Sequence, residues 1–137
     1  MTRPLGRSGV GARFDAPEAP ARDLLLVRRA TSDLARRLAA APDDELAARD
    51  GIGSPTGLAI AELAVAARRL AIALAAVRGA STDHPHPHPE PRAAATLPPR
   101  ALRHLFSHAT IHLDVEWRDL PGPLWNAVLP NGAPIRS

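Results

Sequence analysis

A mainly α-helical fold is predicted by three features of the sequence. Apolar residues recur at three- and four-residue spacing in three long segments. Apolar residues make up 45% of the chain but aromatics only 3%, so the core must be built from Leu, Ile, Val and Ala, which suits closely packed helices. Proline and glycine clusters stand at the borders of the periodic segments and not inside them. The 137 residues suffice for one domain with one modest core.

Residues 1–20 are rich in Gly, Pro and Arg and carry no periodicity, which predicts a disordered arm. The rest, 21–137, is expected to be a single helical domain. Its first helix covers Ala21 to Ala41, with Leu24, Val27, Leu34 and Leu38 on one stripe. Arg22, Arg29 and Arg36 recur every seven residues on another face, which reads as a solvated surface diluted by Asp23 and Asp33. Pro42 to Asp50 offers a short helical turn, and Gly51, Gly53 and Pro55 then break the chain. Ser54 before Pro55 is a helix start: a capping hydroxyl, then proline at the first helical position. The second helix runs to Arg78, with Gly79 as its stop.

Residues 81–99 form a Pro/His-rich linker with six prolines, in which the alternating run from His84 to Pro89 forbids a helix. The third helix spans Arg100 to Leu120, with Leu102, Leu105, Phe106, Ala109, Leu113 and Leu120 as its stripe. Pro121 and Pro123 end it, and Trp125 to Ser137 reads as a short β-hairpin turning at Pro130-Asn131-Gly132. Trp117 and Trp125 are expected to be buried on either side of the Leu120-Pro121 corner.

Composition narrows the function classes. Without cysteine there is no disulfide and no thiol nucleophile, which fits a reducing, cytoplasmic compartment. All 17 basic residues are arginine, and the net charge is only +3. Exclusive arginine beside abundant Ala and Pro reads as the bias of a GC-rich genome, so a nucleic-acid partner ranks last. No apolar signal core is present in the first twenty residues. Leu58 to Val77 is long enough to cross a bilayer, but Glu62, Arg68 and Arg69 interrupt it. Each would cost roughly 2.5–3.5 kcal/mol at the bilayer centre, so a buried helix is favoured and no membrane partner is expected.

All six histidines fall between residues 84 and 112. His104, His108 and His112 stand at i, i+4 and i+8, with neighbouring imidazoles about 6 Å apart on successive turns. The row drifts by about 40° per step, so at most two can share an ion. Glu62 lies mid-helix in an apolar run, where an unpaired carboxylate is costly to bury. If Glu62 faces the core, the expected metal ligands are Glu62 with His108 or His112, holding zinc or another divalent ion; otherwise Glu62 points to solvent or pairs with Arg68, Arg69 or a neighbouring helix. His84, His86 and His88 read as a flexible tract. Asp114 and Glu116 read as local ion-pairing groups near a helix end. No GxSxG, P-loop, HExxH or dinucleotide fingerprint occurs.

The segment Leu113-Asp114-Val115-Glu116-Trp117-Arg118-Asp119-Leu120-Pro121, followed by Trp125-Asn126-Ala127-Val128 and a glycine turn, resembles the mycothiol-dependent maleylpyruvate isomerase family. Leu34 to Ala41, Asp43-Asp44-Glu45-Leu46, the Gly-Ser-Pro-Thr-Gly loop and the helix after it match in order, and the resemblance covers residues 22–137. It implies a DinB-like four-helix bundle with a divalent metal, usually zinc, held by a His of the second helix and a Glu and His of the fourth. It also implies mycothiol, whose thiol adds to the substrate double bond and permits cis–trans isomerisation. Glu62 stands at or beside the second-helix His, and the sequence stops at Ser137, before the Glu/His helix. The expectation is a shortened or degenerate bundle lacking the complete metal site, with a weak metal or small-molecule pocket or none. The rival expectation is a non-catalytic interaction module that completes its bundle as a homodimer.

Overall fold

Ser54 fixes the start of the longest helix. Its Oγ accepts from the Gly57 amide at 2.9 Å and donates to the Glu45 carbonyl at 2.8 Å, so one hydroxyl caps a helix and ties it to the preceding turn. Pro55 follows at the first helical position, where the missing N–H costs nothing. In the computed structural model, which describes residues 19–79, 90–129 and 131–135, five α-helices follow one another. They are α1 (Ala21–Ala40), α2 (Asp43–Leu46), α3 (Pro55–Val77), α4 (Pro91–Ala94) and α5 (Pro99–Asp119), followed by a 3₁₀ helix over Gly122–Asn126. The three long helices lie where the periodicity places them. No helix among the described residues is long and apolar enough to cross a membrane.

Small side chains decide how the helices pack. The buried face of α3 carries Gly57, Ala61, Ala64, Ala67, Ala71 and Ala75, interleaved with Ile60, Val65 and Leu74. This narrow surface lets α5 approach closely with Leu102, Phe106 and Ala109. Links from Arg68 to His108 and from Arg78 to Glu116 show that α3 and α5 run parallel. Helix α1 runs antiparallel to α5: Arg28 meets Asp114, and near the other end Arg103 donates to the carbonyls of Leu38 and Ala41. Arg103 also pairs with Asp43, fastening α2 to the same end.

Two linked cores result. One gathers Leu38, Leu46, Ile60, Leu102 and Phe106 with the alanines of α3 to α5. The other joins Leu24, Leu74, Leu120 and Trp125. Leu113 packs against both.

Helix α4 lies within the proline-rich stretch. Pro91 opens it, and Ala94 and Ala95 are buried against the core, so the second half of that stretch is folded. Residues 80–89, with the histidine tract, and the arm over 1–18 lie outside the described residues. Gly53 makes the fit of α4 possible: a Cβ there would stand 2.5 Å from the Cβ of Ala95. Gly53→Ala is expected to destabilise by about 1–3 kcal/mol, the cost of overpacking a tight contact. Urea unfolding followed by circular dichroism checks this, and an unchanged midpoint would mean that the loop simply moves away.

The expected C-terminal hairpin is not formed as such. Among the described residues there is no strand; Trp125 sits in the 3₁₀ helix, and the only pairing beyond it is an isolated antiparallel bridge between Val128 and Pro134. Pro130 and Pro134, within the expected hairpin, have no amide donor to give a ladder. The turn itself survives: Gly132 has φ +88°, and its amide donates to the Leu129 carbonyl at 2.8 Å. A second tight turn, at Asp50-Gly51, joins the bridged pair Arg49 and Ile52, with φ of 52° and 75°.

Candidate functional site

Helix α1 touches the rest of the bundle mainly at its two ends. Leu24 enters the core near one end and Leu38 near the other, while Val27 between them stays 40% exposed. Because α1 stands off in the middle, a cleft of about 580 Å³ opens between α1, α3 and α5. Its walls are aliphatic and aromatic: Leu34 from α1, Leu63 and Leu70 from α3, and Phe106, Leu113 and Trp117 from α5. Thr31, Ser32, Ser107 and Thr110 add hydroxyls. The charged lining groups are Arg28 and Asp114, and these pair with each other at 3.2 Å. At the rim, Leu63 is 49% and Ile111 61% exposed, leaving apolar surface in water.

The residues expected to hold a metal are not brought together. Glu62 is exposed on α3. His108 is exposed, and its Nδ1 lies 3.3 Å from Nη2 of Arg68, a cation. His112 is turned to Glu116, its Nε2 3.6 Å from Oε2. Among the described residues, no three histidine or carboxylate side chains converge into a metal-holding group. The donor set therefore does not fit the bundle-core zinc that the family resemblance implies. The ring that does approach His108 is His104, with centroids 5.5 Å apart.

The acidic groups at the end of α5 pair across helices, not locally as expected. Asp114 takes Arg28 of α1, whereas Glu116 takes Arg78 at the end of α3. Glu116 is 5% exposed and accepts two hydrogen bonds, from Nε at 2.9 Å and Nη2 at 3.1 Å. Donating to the Glu116 carboxylate raises the Arg78 guanidinium above the ordinary arginine value, against the opposing effect of burial. Locally, Arg118 pairs with Asp119, and His112 faces Glu116 one turn away. On α1, Arg22, Arg29 and Arg36 are exposed as expected, and Asp33 takes both Arg36 and Arg37.

Two features escaped the sequence reading. Glu116 falls on the apolar stripe of α5 with Ala109, Leu113 and Leu120, and a carboxylate on a core stripe signals a buried cation partner. The cleft had no comparable signal, since Leu63 and Ile111 look like ordinary members of apolar helices. Comparison with protein-family models, with curated proteins and with solved structures gives no match.

Proposed function

We propose that the protein is a non-catalytic binding module of the helical-bundle type that takes a neutral, largely apolar small molecule into the cleft between α1, α3 and α5. The observation that carries this reading is the cleft itself. Its volume of about 580 Å³ lies within the range of small-ligand sites, and its lining joins apolar walls to a few hydroxyls. Neutrality follows from the Arg28–Asp114 pair. Each charge in the lining already has its counter-charge at 3.2 Å, so a charged ligand must compete with an existing partner.

The DinB-like resemblance of the Trp117-to-Trp125 segment is compatible with this scaffold. Among the described residues, Glu62, His108 and His112 do not come together as a donor set for the zinc attached to that resemblance.

The test uses a neutral naphthylamine probe, read by energy transfer from Trp117 in a Trp125→Phe background. Saturable binding of one probe per chain is expected. Ala66 lines the cleft and is exposed, so Ala66→Trp fills the volume without entering the core. It should weaken binding at least tenfold, while circular dichroism stays unchanged. Absence of saturable binding, or full binding by Ala66→Trp, overturns the proposal. So does a dimer on size-exclusion chromatography that Ala66→Trp dissociates, since the cleft would then belong to a second copy.

A further inference from the structure

We propose that His104 and His108 form a two-imidazole site for a late first-row divalent ion on the outer surface of α5. The site differs from the one expected from the sequence. His112, a turn further on, faces Glu116 and is not part of it. His104 and His108 are both exposed, so an ion can reach them without opening the fold. Neither lines the cleft, and the inference does not depend on the ligand proposed there.

Geometry carries the argument. Two imidazoles that bind one ion at about 2.0–2.1 Å, at angles between square-planar and tetrahedral, hold their centroids roughly 4.5–5.2 Å apart. The observed separation is 5.5 Å, with the ring planes inclined by 35°. Closing the difference takes about 0.3 Å for a tetrahedral ion and about 1 Å for a square-planar one, within reach of side-chain rotation of two exposed rings. Residues at i and i+4 on one helix keep the pair in register, so little backbone freedom is lost on binding. Imidazole donors favour Cu²⁺ most strongly among the divalent first-row ions, with Ni²⁺ and Zn²⁺ behind. Two protein ligands leave the remaining positions to water.

Arg68 gives the site a signature. Its Nη2 lies 3.3 Å from Nδ1 of His108, and its Nε is buried without a hydrogen-bond partner among the described residues. A neutral His108 that accepts from Arg68 through Nδ1 carries its proton on Nε2. An ion on Nε2 forces that proton to Nδ1, where it faces a guanidinium donor. The guanidinium also repels the ion. Arg68 therefore opposes binding, and removing it should strengthen the site.

The experiment is a Cu²⁺ titration by calorimetry, with electron paramagnetic resonance reporting nitrogen ligation. It uses the full chain carrying His84→Ala, His86→Ala and His88→Ala, so that the linker tract cannot contribute. One Cu²⁺ per chain with nitrogen ligands is expected in this background. His104→Ala and His108→Ala should each weaken it at least tenfold, His112→Ala should leave it unchanged, and Arg68→Ala should tighten it severalfold. Loss of the one-to-one site in the background chain overturns the proposal. So does unchanged affinity in His104→Ala or in His108→Ala, an effect of His112→Ala equal to theirs, or weaker binding in Arg68→Ala.

Discussion

Trp125→Ala is expected to lower the unfolding free energy by about 3–5 kcal/mol, the range for removing a fully enclosed large aromatic side chain. Trp125 is 2% exposed and packs with Leu24, Leu74 and Leu120, side chains from α1, α3 and the end of α5. Removing the indole therefore opens a cavity at the point where all three long helices converge. The loss is a large share of the roughly 5–15 kcal/mol available to a domain of this size. Trp117 is only half-buried, so Trp117→Ala should cost less, about 1–2 kcal/mol. The indole Nε1 of Trp125 is buried without a partner among the described residues, so Trp125→Phe forfeits none of the described hydrogen bonds and should retain most of the stability. Urea unfolding monitored by circular dichroism separates the three variants. A loss below about 1 kcal/mol in Trp125→Ala would show that the corner is not core.

The parts of the fold that were legible are those that local chemistry determines. Ser54-Pro55 marks the first turn of α3 because the hydroxyl and the fixed φ of proline act within four residues. The stripe Leu102, Phe106, Ala109 marks α5 because apolar burial repeats with the helical period. The hairpin expectation failed for an equally local reason. Asn131-Gly132 does turn the chain, but the prolines around it leave too few donors for a ladder. The candidate site was hidden because it depends on where α1 stands off from its neighbours. Val27 belongs to the apolar stripe of α1 yet remains substantially exposed, and no property of the residue itself distinguishes it from buried Leu24. The orientation of Glu62 was likewise not legible in the sequence. An apolar run does not reveal which of its positions face water, and Glu62 takes one of those on α3.

Arg78→Ala is expected to destabilise the protein by about 3 kcal/mol, the low end of the range for stranding one member of a buried ion pair. Glu116, 5% exposed, would lose both guanidinium hydrogen bonds and keep only the His112 ring, 3.6 Å away. The low end applies because Arg78 itself retains 29% of its side-chain exposure, and water can enter the space it leaves. The pair also joins the end of α3 to α5, so its loss should release the C-terminal end of α3 first. That is measurable as faster amide exchange near Leu74 and Ala75 than near Ile60. Arg78→Met combined with Glu116→Leu should recover most of the lost stability, since an apolar pair carries no desolvation penalty. The pH dependence has a definite sign. The folded-state value of Arg78 is raised, so its contribution is complete below the unfolded arginine value and is lost only as pH rises through the folded one. Stability from this pair should therefore stay level from neutrality to about pH 10, well below the arginine range. If Arg78→Ala cost less than about 1 kcal/mol, the pair would be no stronger than an exposed surface bridge and Glu116 would be finding solvent.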